Sequence, residues 1–355
     1  MGFVSCYPMS VRRRLLIIAV LGALLAGSGT LAVWWPPSRS ATNGAVAARP
    51  LTADEQRSLA TLRVVDADHP LFAMTLYGSY DPMRKIAAPV AATGPWACSL
   101  FLAAKGPKGP LFARNFDWDP NPALLLTTRP DRGPASISLV DISYLGIDRA
   151  EARRLTTDAA LQRILLQAVA LPFDGMNEHG LAIGMAAVDS AEAPKAPGLP
   201  VVGSVRIQRL VLDRARTVDE ALALFRGHVI DFSSDPPLHY LLADARGRSA
   251  VVEFVDGEMR VIPGAGDWQN MVNFVQYGAT ERTRRDDRRH STIAERMGST
   301  GGHLDPGAAM TLLSQVAQPH TQWSAVYELE NGTVHLTVDR DYETRREFVL
   351  GRQAS

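Results

Sequence analysis

Once an N-terminal leader is set aside, this 355-residue chain keeps a single cysteine, Cys98, because the other, Cys6, lies inside the leader. One cysteine forms no internal disulfide. The fold must therefore be held by its apolar core, and the thiol is either a core filler or a group kept free for chemistry. The chain can supply that core. Hydrophobic residues make up 46% of it and charged residues 21%, and a chain of this length forms one large domain or two ordinary ones. Basic and acidic residues balance at 37 each, so no charge footprint points to nucleic acid or an acidic membrane surface as a partner.

The leader has a direction. Arg12, Arg13 and Arg14 precede an apolar run from Leu15 to Ala26, then a looser stretch ends at Trp34-Trp35 and Pro36-Pro37. Basic residues before an apolar run keep the N-terminus in the cytoplasm and send the downstream chain across the membrane. The 21 residues from Leu15 to Trp35 suffice to span a hydrocarbon core of about 30 Å. Residues 1–36 are thus a cleaved signal peptide or an uncleaved inner-membrane anchor, and the interfacial tryptophan pair tips the reading to the anchor. The expected location is exported, either periplasmic or tethered with the domain outside the cytoplasm. Residues 37–50, rich in Pro, Ser, Ala, Gly and Asn, read as a linker.

Beyond the linker, strands and helices come in blocks. A short helix is expected over Ala53 to Thr61 and a strand over Leu71 to Tyr77. Cys98 to Lys105 and Pro110 to Trp118 form a hairpin about Gly106-Pro107-Lys108-Gly109. A turn symmetric about Pro107 and Lys108 sets Asp117 opposite Cys98 and puts Arg114 on the other face. Further on come a helix over Glu151 to Ala170, a buried strand over Gly180 to Val188, and helices from Val205 and from Thr217, the latter with a capping box to Glu220. Three strands (His239–Ala243, Ser249–Val255, Glu258–Ile262), a helix over Pro306 to Ala317 and a closing hairpin about Asn331-Gly332 complete the chain. Blocks rather than βαβ alternation favour an α+β fold of antiparallel sheets covered by helices.

The hairpin also gathers chemistry. A cysteine that is first in its chain carries its own base, since an α-amine titrates at roughly 7.7–8.0. A carboxylate can orient that amine and an arginine can favour the thiolate. Cys98, Arg114 and Asp117 supply these parts. Taken alone, they read more readily as a core cysteine beside a surface ion pair. The eight histidines show no metal-ligand spacing, and no Gly-x-Ser-x-Gly elbow or phosphate loop is present. No cofactor is expected.

Further motifs shift the balance. Cys98-Ser99 stands 16 residues before Arg114 and 19 before Asp117, within Arg114-Asn115-Phe116-Asp117-Trp118. Asp174-Gly175-Met176-Asn177-Glu178-His179-Gly180-Leu181, Val272-Asn273-Phe274, Asp286-Asp287-Arg288-Arg289 and Thr321 to Tyr327 come after it in order. In these features the chain resembles the N-terminal-nucleophile hydrolases of the linear-amide group. These include bile-salt hydrolases, penicillin V acylases, acid ceramidase and N-acylethanolamine acid amidase. The likeness runs over residues 65–350. It implies a four-layer αββα sandwich of two antiparallel sheets, a pro-segment or small-subunit region at 51–97, and a catalytic domain at 98–355 freed by self-cleavage between Ala97 and Cys98.

The resemblance also implies roles. Cys98 is the nucleophile, Asp117 holds its amine, and Arg114 lies beside the sulfur. Asn273 donates to the oxyanion, and Arg288 aligns the site, with Arg289 nearly as good a match. Asn177 and Trp118 are candidate substrate-site residues. The sequence departs from the bile-salt hydrolases at Ala187, where they carry a second oxyanion asparagine; a backbone N–H must serve instead. The implied substrate is a small N-acyl amide. Two alternatives share these residues: an acyltransferase, and a membrane-tethered binding domain without chemistry. A homo-oligomer is compatible with either.

Overall fold

The computed structural model describes residues 49–83, 97–233 and 237–351. The expected leader and most of the linker lie outside the described residues. Among the described residues, no helix is long and apolar enough to cross a membrane.

The chain opens with helix α1 (Ala53–Leu59) and strands β1 (Arg63–Asp66) and β2 (Leu71–Tyr77). Next come β3 (Ala97–Ala103), β4 (Leu111–Asp117), β5 (Ala123–Arg129) and β6 (Ser136–Asp141). Helices α2 (Arg149–Ala152) and α3 (Ala159–Leu165) lead to β7 (Asp174–Asn177), β8 (Ala182–Ala187) and β9 (Val201–Gly203). After α4 (Ile207–Arg214) and α5 (Val218–Arg226) come β10 (Val229–Asp231), β11 (Leu238–Ala243), β12 (Ser249–Val255), β13 (Glu258–Pro263) and β14 (Trp268–Met271). The last elements are α6 (Glu281–Asp286), α7 (Arg288–Thr300), α8 (Pro306–Gln315), β15 (Thr321–Glu328), β16 (Thr333–Val338) and β17 (Arg346–Val349).

Two large sheets result. One has nine strands in the order β1-β2-β5-β6-β7-β8-β11-β12-β13; the other has six, β14-β3-β4-β15-β16-β17. Alternation along β3 and β4 decides what lies between them. Leu100, Leu102, Phe112 and Phe116 enter the core shared by both sheets. Phe101, Ala103, Leu111 and Ala113 pack outward on Ile293 and Met297 of α7 and on Met310 and Leu313 of α8. Covered on both faces, these strands are buried along their length. On the far side, α4 and α5 lie against β7, β8 and β11. Helices, sheet, sheet and helices make the four-layer αββα sandwich. The sheets approach closely near Cys98: a Cβ at Gly184 of β8 would lie 2.6 Å from Leu100 Cδ2.

Three expectations need correction. The nine-stranded sheet is mixed, because β2 runs parallel to β5. The helix expected over 151–170 breaks into pieces: one segment ends at Ala152, and Asp158 starts the next as its cap, accepting from Ala160 N and Leu161 N. The capping box at Thr217 is half formed: Thr217 accepts from Glu220 N, while Glu220 reaches Arg216 N rather than Thr217 N. Residues 63–77, read as part of a pro-segment, supply two strands of the larger sheet.

Candidate active site

The hairpin register is one residue away from the symmetric expectation. Cys98 faces Phe116, Leu100 faces Arg114, and Asp117 faces Ala97. The turn centres on Pro107 itself, not between Pro107 and Lys108. That single step matters, since every side chain changes face with it. Arg114 now shares the inner face with Cys98, and no bulge is needed to bring it there.

Cys98 is buried, 1% exposed. Arg114 Nη2 donates to its sulfur at 3.6 Å. Burial pushes the thiol above its ordinary range, and the guanidinium pulls the other way. Arg114 is itself fully buried. Its Nη1 donates to Asp174 Oδ2 at 2.8 Å and to the Phe173 carbonyl. Asp174 also receives Trp323 Nε1 at 3.0 Å and the Tyr327 hydroxyl. The arginine is therefore fixed by a carboxylate from the opposite sheet, with Trp323 stacked on Phe116 beside it.

Asp117 ends β4. Its Oδ1 accepts from the Thr321 hydroxyl at 2.5 Å. Its Oδ2 is buried and has no hydrogen-bond partner among the described residues. Burial raises its carboxyl to about 7, against the opposing pull of Thr321, Arg289 and Arg114. A buried acceptor without a donor is uncommon and calls for an explanation.

Asn273 lies just after β14. Its Oδ1 accepts from the Cys98 backbone N–H at 2.5 Å and from Arg289 Nη1 at 2.8 Å, and its Nδ2 donates to the Ala187 carbonyl at 2.7 Å. Two donors on one side and an acceptor on the other fix which way the amide points. One N–H of the amide is used on Ala187, and the group carries a second. Ala187, where a backbone N–H was expected to help, thus contributes its carbonyl to Asn273.

The structure brings Arg289, not Arg288, to this cluster. Arg289 Nη1 also donates to the Cys98 carbonyl at 2.7 Å. Arg288 is exposed, and its side chain makes no hydrogen bond or ion pair with a described residue. The cause is local. Asp287 caps α7 through His290 N, which sets Arg288 and Arg289 on successive helical positions about 100° apart. A cation in a first turn opposes the helix dipole, so the contacts of Arg289, not its helix, account for its place.

Two candidate substrate residues stand apart. Asn177 is spent on structure: its Nδ2 donates to Leu212 and Ala215 carbonyls, and its Oδ1 accepts from His179 N and Leu181 N. It lies at the far end of β7 from Asp174 and does not reach Cys98. Trp118 is next to Asp117 but is 2% exposed, and its backbone N–H donates to the His320 carbonyl. Asp174 and Thr321 each begin a segment that the resemblance picks out, but their roles in the site appear only in the fold. Neither has a spacing signal, since each meets its partner only across strands distant in sequence.

The model of the acyl-coenzyme A:6-aminopenicillanic acid acyl-transferase family matches residues 167–354, a span that takes in Asp174, Asn273, Arg289 and Thr321 but begins beyond Cys98. A penicillin V acylase from Pectobacterium atrosepticum is 30% identical over 198 residues, 50% of this chain and 49% of that protein. The chain thus spans about half the length of the curated relative it matches. A solved structure of a mutant conjugated bile acid hydrolase from Clostridium perfringens is similar with a TM-score of 0.52 at 14% identity, over 71% of this chain and 92% of that one. A penicillin V acylase from Agrobacterium tumefaciens gives a TM-score of 0.47 at 18% identity, over 72% and 92%. At 14% identity the bile acid hydrolase shows a shared fold alone.

Proposed function

Because the chain belongs to the acyl-coenzyme A:6-aminopenicillanic acid acyl-transferase family, within the N-terminal-nucleophile hydrolase group, we propose that it hydrolyses linear amides of small N-acyl compounds through Cys98 after cutting itself between Ala97 and Cys98. The observation that carries the reading is the orphaned Asp117 Oδ2, buried next to the Ala97–Cys98 junction. A freed α-ammonium on Cys98 is the donor that this oxygen lacks.

The steps rest on the contacts. Cys98 Sγ attacks the Ala97 carbonyl carbon, the C–N bond breaks, and the Cys98 nitrogen leaves as an amine, taking a proton. Asn273 Oδ1 already holds that nitrogen. Water then releases Ala97 from the thioester. In turnover the α-amine takes the thiol proton, and the thiolate attacks the substrate carbonyl. The second N–H of Asn273 meets the oxyanion, an interaction whose loss costs about 10²–10³ in rate. The ammonium protonates the leaving amine, and water, deprotonated by the same amine, frees the acid. Arg114 favours the thiolate, and Arg289 holds the backbone of the nucleophile. A cut at Ala97 would leave β1 and β2 paired in the larger sheet, so the two pieces are expected to stay together. The basic-then-apolar leader supports an exported location.

Intact mass and N-terminal sequencing of purified protein should give an N-terminus at Cys98. That protein should release acid from members of an N-acyl amide panel that includes penicillin V. Uncut protein that still turns over the panel would overturn the reading. The family's name favours a second reading on the same residues, transfer of the acyl group to an amine. Adding an amine acceptor separates the two: transfer yields a new amide at the expense of free acid.

Asp117 gives a pH prediction. Burial raises its carboxyl to about 7 in the uncut chain, and the freed ammonium beside it pulls that value down; the carboxylate protonates as pH falls through the lowered value and stops holding the amine. Thr321→Val removes the hydrogen bond that pulls it down. The acid limb of the kcat/KM profile should then move to higher pH, while the alkaline limb stays. A limb that does not move would remove Asp117 from this role.

A further inference from the structure

The loop that carries Asn273 is tied at both ends to one buried pair in the opposite sheet. His239 of β11 and Glu253 of β12 face each other across the ladder, next to the Tyr240–Val252 pair. Both are buried, at 0% and 1% exposure. Tyr240 points outward, its hydroxyl donating to the Ser204 carbonyl. Alternation therefore turns His239 inward, towards the six-stranded sheet. His239 Nδ1 lies 2.9 Å from Glu253 Oε1, and its Nε2 lies 2.6 Å from the Val272 carbonyl. Glu253 Oε1 also accepts from Gln276 N at 2.8 Å, and its Oε2 accepts from Tyr277 N at 2.8 Å.

Three backbone groups of residues 272–277 thus end on one side-chain pair, with Asn273 inside the span. Burying a carboxylate and an imidazole between two sheets is costly unless every polar atom is used, and here both nitrogens and both oxygens are used. Apolar residues would close the sheet interface at least as well. They would not fix the height of the 272–277 loop above Cys98.

We propose that His239 and Glu253 are positioning residues, which set Asn273 against Cys98 and Arg289 and so tune the oxyanion site without touching substrate. The proposal rests on Asn273 acting as the oxyanion donor, and the experiment keeps the failure of one apart from the failure of the other.

Glu253→Gln keeps size but leaves one oxygen for three donors. On the wild-type background kcat should fall about 10–100-fold, with KM within about twofold. On an Asn273→Ala background the same change should cost less than about twofold, because the residue through which it acts is gone. Equal losses on both backgrounds would make the pair merely structural and overturn the proposal, as would an unchanged kcat in the single variant. A second readout needs no activity. In uncut Cys98→Ala protein, Glu253→Gln should speed amide hydrogen exchange over residues 272–277 by at least about tenfold, with exchange in β15 and β16 unchanged. Unchanged exchange at 272–277 overturns the proposal; faster exchange in a protein whose wild type lacks amidase activity upholds it and sinks only the function. If Glu253→Gln does not fold, His239→Gln, which leaves the carboxylate to its two backbone donors, carries the same cycle and the same exchange measurement.

Discussion

Cys98→Ala should leave the chain uncut at Ala97 and without amidase activity, two losses from one atom. Both steps form a bond from carbon to the same sulfur, and no other cysteine exists in the described residues to replace it. The fall in turnover should reach several orders of magnitude, of the kind seen when a nucleophile is removed from a cooperative site (~10⁶ in kcat). The fold should persist. Removing one buried sulfur makes a small cavity, worth about 1 kcal/mol on the scale of methylene deletions. Intact mass, hydrolysis rate and melting temperature, measured together, therefore give a clear pattern: full length, inactive, nearly as stable. If the variant is still clipped between Ala97 and residue 98, an outside protease makes the cut, and self-processing is wrong. Cys98→Ser gives an intermediate case, because a hydroxyl at the same place is a weaker nucleophile that the same amine can still assist.

What the sequence revealed of this site divides by distance along the chain. The hairpin was legible because turn residues and alternating hydrophobicity are local signals, and it put Cys98, Arg114 and Asp117 on adjacent strands. Its register was not, because a loop one residue longer or shorter than assumed still reads as the same turn. Asn273 was found only through resemblance, since a lone asparagine after a strand has no signature of its own. The choice between Arg288 and Arg289 depended on which aspartate caps the helix, and Asp286 and Asp287 are equal candidates in sequence. Antiparallel sheets covered by helices could be inferred from the block pattern and the four layers from resemblance, but the parallel pairing of β2 with β5 could not, because it joins segments separated by the whole β3–β4 hairpin. The roles of Asp174, His239 and Glu253 were invisible for a shared reason. Each is a buried polar residue on a strand, and its use is set by a partner on the other sheet or on a loop far along the chain.

Asp174 carries the second large effect. It is fully buried and is the only carboxylate hydrogen-bonded to Arg114 among the described residues. Its oxygens also satisfy the Trp323 indole and the Tyr327 hydroxyl. Asp174→Ala would leave a fully buried guanidinium with no counter-charge. Breaking a buried pair from one side costs about 3–5 kcal/mol, and the two stranded neutral donors add about 1–3 kcal/mol each. Against a total stability of about 5–15 kcal/mol, the variant should unfold at far lower denaturant or fail to accumulate. The double replacement Arg114→Met with Asp174→Leu removes both charges and should recover much of that loss, since apolar residues of similar size often match a buried ion pair. It should not recover hydrolysis. With Arg114 gone, the main pull against the upward push of burial on the Cys98 thiol is lost, so the thiolate becomes scarcer just where it is needed. Denaturant midpoints and hydrolysis rates for the single and double variants check both halves. A single variant within about 1 kcal/mol of wild type would mean that Arg114 finds another partner. An active double variant would mean that the arginine serves the fold and not the sulfur.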